Sequence, residues 1–109
     1  MIYGMQAEDN LFRALADPSR RAIFERLTLG EAAVKEITAG FDISQPAVSQ
    51  HLAALRNAGL VSERREGRLV YYKVEPNGLR PLVDWIAHYQ AFWFERMDRL
   101  QELLKEMDE

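Results

Sequence analysis

Short hydroxyl and carboxamide side chains gather at the start of Ser44–Tyr72 (SQPAVSQHLAALRNAGLVSERREGRLVYY), and arginines follow them. Gln45, Ser49 and Gln50 carry groups suited to base edges: a carboxamide can pair bidentately with adenine, and a hydroxyl donates or accepts at several bases. Ser44 to Gln50 contains no carboxylate, so nothing there repels a phosphate. Arg64, Arg65 and Arg68 then supply cations of the kind that hold a nucleic-acid backbone. This is the chemistry of recognition rather than of covalent catalysis. Ser49 and His51 are two residues apart on one helix and cannot face each other as nucleophile and base. No glycine-rich phosphate loop or acidic metal cluster is visible either, and the expectation is that the chain is not an enzyme.

The elements that must position these residues are legible. Ser44 suits an N-cap, and Pro46 is tolerated in a first helical turn. At about 100° per residue, Val48, Leu52 and Leu55 fall on one face, with Pro46, Ser49, Gln50, Ala53 and Asn57 on or near the other. Asn57-Ala58-Gly59 ends that helix. Leu60–Arg65 and Leu69–Val74 read as strands joined around Glu66-Gly67. Arg68, beside that turn, is the residue best placed to enter a minor groove. Upstream, Leu11, Phe12 and Leu15 make a first apolar stripe. Asp17-Pro18 marks the start of a second helix, with Ile23, Phe24 and Leu27 inward and Arg20 and Arg21 able to touch a phosphate backbone. A third helix is expected over Val34–Ala39, stopping at Gly40. The fold class predicted is mainly α with a small β-hairpin: four helices, the hairpin and a fifth helix, in the layout of a winged helix-turn-helix.

Overall charge is −3, from 14 Lys and Arg against 17 Asp and Glu, and it hides a division. Residues 44–73 hold five Lys or Arg against Glu63 and Glu66, whereas residues 92–109 hold three against six. A local basic patch on an acidic body binds phosphate while the remainder discourages non-specific contact. Glu63 and Glu66 count against the patch. With 109 residues and 48 % hydrophobic content, the chain reads as one globular domain over 1–109. Met1–Asn10 shows no secretory signal, and no apolar run is long enough to span a bilayer. A cytoplasmic location is expected, with no membrane partner.

Residues 78–107 raise a separate question. Leu82, Ile86, Tyr89, Trp93, Met97, Leu100, Leu104 and Met107 recur at a mean spacing of about 3.57 residues, between the straight-helix and coiled-coil periods. So long a helix cannot bury that seam on a small domain, and Trp85, Phe92 and Phe94 add further apolar surface. A second copy of the chain is the simplest partner, which makes 78–107 a dimerisation helix.

Three stretches carry a family resemblance: LADPSRRAIFERL at Leu15–Leu27, ISQPAVSQHLAALRNAGLV at Ile43–Val61, and REGRLVYYKV at Arg65–Val74. In this order they resemble the ArsR-type (arsenic-repressor-like) winged-helix transcriptional regulators, over roughly residues 9–107. The resemblance implies a homodimeric regulator, usually a repressor, and the two-fold symmetry of such a dimer predicts sequence-specific binding to double-stranded DNA at an inverted-repeat operator. The regulator it implies would meet DNA through the residues that the helix face and the basic hairpin offer, Ser44, Gln45, Pro46, Ser49, Gln50, Arg64, Arg65 and Arg68. The resemblance further implies dimer contacts through the first and last helices, which here offer Leu11, Leu15, Tyr89, Trp93, Met97, Leu100 and Leu104.

The chain departs from its metal-sensing relatives. They carry paired cysteines in the helix before the reading helix, where this chain has Ala33 and Lys35 and no cysteine anywhere. Asp84 and His88 stand one turn apart, but they do not match the familiar ligand spacing and no second histidine follows. His51 fits a packed or locally hydrogen-bonded position better than a ligand. No metal and no cofactor are expected, and no effector is identified. The alternative is a winged-helix protein-interaction module with no direct DNA role.

Overall fold

The computed structural model describes residues 5–108; the first residues of the Met1–Asn10 stretch, from which the lack of a secretory signal was argued, lie outside it. In chain order the elements are α1 (Met5–Ala16), α2 (Pro18–Leu27), β1 (Ala32–Ala33), α3 (Val34–Ala39), α4 (Gln45–Asn57), β2 (Val61–Glu66), β3 (Leu69–Val74) and α5 (Arg80–Asp108).

Helix boundaries fall where local chemistry demands. Asp17 is extended and its Oδ1 accepts from the Arg20 N–H at 3.1 Å, with Pro18 beginning α2. That backbone hydrogen bond holds the Asp17 carboxyl below its ordinary value. Ser44 repeats the device for α4, its Oγ accepting from the Ala47 N–H at 3.3 Å. At the far end of α4, the Leu60 N–H reaches the Leu55 carbonyl at 3.0 Å and the Gly59 N–H reaches that of Arg56 at 2.9 Å. This paired bonding needs a left-handed residue between helix and exit, and Gly59 supplies it at φ +79°. Leu55 and Leu60 are both fully buried, so the same motif that stops the reading helix seals the core and launches β2.

The sheet has the order β1-β3-β2, antiparallel throughout. β1 is an addition to the expected hairpin: Ala32 and Ala33 pair with Tyr72 and Tyr71 on the far edge of β3. Glu66 pairs with Leu69, so the two-residue turn is Gly67-Arg68, one residue later than expected. Gly67 takes φ +63° while Arg68 stays at negative φ, as a hairpin turn with glycine first requires. β2 likewise starts at Val61 because Leu60 is committed to the α4 exit.

The core lies between α1, α2, α3, α4 and the base of the sheet; Ile23, Ile37, Val48, Leu52, Leu55 and Leu60 have no exposed surface. Leu11 is a correction to the expected dimer residues. It is 1 % exposed within the single chain, so it belongs to this core and not to an outward seam. The adjacent Phe12 faces α5 instead, edge-on to Trp85 at 5.5 Å between ring centroids. α5 is anchored at its start, where Leu79 and Leu82 pack on the core. It then runs on for about 43 Å in all.

Candidate nucleic-acid interface

α4 presents its reading end to solvent. Gln45, Pro46, Ser49 and Gln50 are exposed, while Val48 and Leu52 on the opposite side are fully buried. Relative to that buried face, Gln50 stands at the crest with Pro46, Ala53 and Asn57, and Ser49 lies on the flank shared with Arg56. Ser44 is exposed too, but its oxygen caps the helix, so its first role is structural. No acidic residue occupies the first turn of α4, and the positive end of the helix dipole is left open to an anion.

The wing adds cations selectively. In the β2–β3 register Arg65 faces Val70 on the side that also bears Tyr72 and Val74, whose side chains pack towards the helices. Arg65 and Arg68 are exposed and have no carboxylate within ion-pair distance among the described residues. Of the two acids that weaken the patch in the sequence, Glu63 is neutralised by Arg56, whereas Glu66 shares the single charge of Arg64 with Glu31, so that cluster keeps one net negative charge. Glu63 pairs with Arg56 at 3.1 Å, and Glu66 pairs with Arg64 at 3.0 Å.

Arg64 is the second correction. Its guanidinium is already engaged by Glu31 and Glu66, at 2.6 and 3.0 Å, and stacks over Tyr71. It is not a free cation waiting for a phosphate.

A groove of about 270 Å³ brings Arg68, Leu69 and Val70 of the wing together with Gln45 of α4 and Val34 and Lys35 of α3. Gln45 and Arg68 thus share one surface, 23 residues apart in the chain. Lys35 was missed as a participant. Its only sequence signal is a lysine early in a short helix, and its place beside Arg68 depends on the unforeseen β1.

Arg20 and Arg21 are hydrogen-bonded to neighbouring main chain and side chain, Arg20 partly buried and Arg21 exposed. Arg20 donates from Nε to His51 Nδ1 at 3.4 Å and from Nη1 to the Arg13 carbonyl, and Arg21 donates to the Leu15 carbonyl at 2.6 Å. His51 is therefore half-buried and hydrogen-bonded as an acceptor. Asp84 pairs with Arg80 at 3.4 Å, and the His88 ring lies edge-on to Tyr89. Among the described residues no group of three or more His, Cys, Asp or Glu is placed to hold a metal ion.

The residues proposed for dimer contact separate into two sets. Leu15 packs partly on the core, whereas Tyr89, Trp93, Met97, Leu100 and Leu104 are 41–60 % exposed along α5. No helix among the described residues is long and apolar enough to cross a membrane.

The model of the arsR family of bacterial regulatory proteins matches residues 17–63, from the cap of α2 into β2. The chain is 46 % identical over 99 residues to an HTH-type transcriptional regulator of Mycobacterium tuberculosis, covering 91 % of this chain and 90 % of that one. It is 43 % identical over 99 residues to the arsenical resistance operon repressor of Escherichia coli, covering 89 % and 81 %. Among solved structures, the homodimeric winged helix-turn-helix DNA-binding domain of a possible ArsR-family regulator from Mycobacterium bovis superposes with a TM-score of 0.65. Identity there is 32 %, over 78 % of this chain and 82 % of that one.

Proposed function

The chain belongs to the ArsR family of bacterial transcriptional regulators, and on that premise we propose that it is a homodimeric, non-catalytic repressor acting in the cytoplasm on an inverted-repeat operator. One observation carries the reading. The carboxylate-free start of α4 and the wing tip share a groove, and every nearby wing acid is held by an arginine other than Arg65 or Arg68. Gln50, with Ser49 on its flank, reads base edges in the major groove; Arg65, Arg68 and Lys35 hold the backbone on the wing side.

The dimer follows from α5. Its apolar seam stays uncovered in the single chain, and burying it is worth roughly 25 cal/mol per Å². Two copies related by a two-fold axis would place their reading helices about one duplex turn apart, which makes the operator an inverted repeat.

Purified protein incubated with fragments of its own genome, followed by sequencing of the bound pool, tests this directly. The expected result is an inverted repeat bound with a steep salt dependence, about −0.9 in log–log slope per phosphate neutralised. Binding without any repeat, or with a slope near zero, replaces this reading with that of a protein-interaction module.

A further inference from the structure

Arg64 and Glu31 form a connection across the sheet that neither the family resemblance nor base-reading chemistry accounts for. Arg64 on β2 lies directly opposite Tyr71 on β3, and Tyr71 lies opposite Ala33 on β1. These three residues make one row through all three strands. The Arg64 guanidinium crosses that row 4.7 Å above the Tyr71 ring. On the far side it meets Glu31, the residue just before β1, through two parallel bonds: Nη2 to Oε1 at 2.6 Å and Nε to Oε2 at 3.4 Å. Its remaining Nη1 holds Glu66 at 3.0 Å. A forked, doubly bonded carboxylate fixes direction as well as distance.

The wing needs such a restraint. β1 contributes only two residues, and beyond it the β2–β3 ribbon is two-stranded with an exposed tip, a form that is marginal by itself. Ala33 leads directly into α3, whose start is fixed by Glu36 Oε1 accepting from the Ala33 N–H at 3.1 Å. A link from Arg64 to Glu31 therefore ties the wing to the first helix of the helix-turn-helix.

We propose that Arg64 and Glu31 act as a strap that sets the pitch of the wing against α3 and α4, and so places Arg68 relative to Gln45 and Gln50. Arg64 is then a positioning residue, acting through Arg68, and not a phosphate contact. The consequence for DNA rests on the wing-contact reading above; the strap itself does not. Hydrogen bonding from Arg64 holds the Glu31 carboxyl below the usual carboxylate range, and Glu31 followed by Glu66 raises the Arg64 guanidinium further. The strap is fully ionised at neutral pH.

Two measurements on Arg64→Gln, Glu31→Gln and the double variant test it. In the free protein, amide hydrogen exchange over residues 62–74 should quicken by about threefold to tenfold in all three variants, with α2 and α4 unchanged. The reversed pair, Glu31→Arg with Arg64→Glu, should recover much of the protection. On operator DNA, both single variants should weaken binding by about threefold to tenfold and flatten the salt slope by no more than Arg68→Ala does, and the double variant should be no worse than either. Arg68→Ala should also lose less in the Arg64→Gln background than in the wild type.

The sign of the Glu31→Gln effect is decisive. Were Arg64 a phosphate contact for which Glu31 competes, removing that negative charge would tighten DNA binding, and Arg64→Gln would still flatten the slope by about one unit in an Arg68→Ala background. Either that pattern or unchanged exchange in the wing overturns the strap. Faster exchange in the wing with DNA binding indifferent to Arg68→Ala would uphold the strap and overturn the wing contact instead.

Discussion

The reading head and the long helix solve opposite problems with the same amino acids. In α2, α3, α4 and the base of the sheet, apolar residues close on one another within one chain, and few large apolar side chains of the head, Leu29 and Leu69 among them, remain outside. In α5, beyond the turn anchored by Leu79 and Leu82, apolar side chains from Trp85 at 37 % to Met107 at 79 % exposure stand in solvent. The first region is complete in a single copy and presents a surface for nucleic acid. The second leaves its apolar seam uncovered in the single chain, and on the dimeric function proposed above its helical periodicity matches another helix. Binding and assembly are thus separable here, and substitutions should affect one without directly touching the other.

The sharpest break is a charge in the seam. Leu100→Glu would bury an unpaired carboxylate against the partner helix at a cost of several kcal/mol, enough to leave monomers at low micromolar concentration. Avidity over two half-sites disappears with the dimer. Operator binding should then collapse by two or more orders of magnitude, about 10²–10⁴-fold, while α4 remains intact. Sedimentation and anisotropy together decide: a dimeric variant misplaces the seam, and a monomer that binds normally removes the dimeric mechanism.

Truncation inside the head should act on the fold instead. Leu52 has no exposed surface and joins α4 to the core, so Leu52→Ala should lower unfolding free energy by about 2–5 kcal/mol. Denaturant titration of both variants checks the contrast. The comparison fails if Leu52→Ala is as mild as a surface change, within about 0.5 kcal/mol.

Gln50→Ala probes the reading surface without disturbing either apolar region. It should cost about 1–3 kcal/mol on the operator and much less on random DNA; Ser49→Ala should cost less, since Ser49 lies on the flank. Equal losses on both DNAs would take Gln50 out of base reading.

How much was legible follows the same division between local and distant chemistry. The caps at Asp17 and Ser44, the α3 limits and the inward faces of α2 and α4 depend on residues within a turn or two, and the sequence states them. The hairpin was displaced by one residue because two demands compete for Leu60 and Gly67: Leu60 completes the α4 exit, and Gly67 must come first in a two-residue turn. β1 was invisible because two alanines have no periodicity to detect. The dimer role expected of Leu11 comes from the family resemblance and an apolar stripe that does not say which way it faces; its burial depends on how α1 docks against α2. The engagement of Arg64 by Glu31 spans 33 residues, and no local pattern announces it. Only the pairing of β1, β3 and β2 brings those side chains within reach.

Arg68→Ala should have a smaller and differently shaped effect than Gln50→Ala. A lost phosphate contact weakens binding to all sequences and flattens the salt slope by about one unit. Arg65→Ala should behave in the same way. An unchanged slope in both variants would mean that the wing does not touch the duplex, and the polar surface would then reduce to α4 alone.

The smallest expected effect is none at all, and it concerns soft metal and metalloid ions. Soft metal and metalloid ions are held by thiolates, and this chain has no cysteine. A zinc site requires three or four ligands. Of the two histidines, His51 accepts from Arg20, and the carboxylate one turn from His88, Asp84, is paired with Arg80. Arsenite, zinc or cadmium at stoichiometric concentration should therefore leave the protein on its operator, as read by anisotropy of labelled DNA. Release that disappears in Asp84→Ala or His88→Ala would make that pair a metal site and join the long helix to the reading head through an ion. Without such release, control falls to the expression level, a partner protein, or an apolar ligand that competes for the aromatic surface of α5.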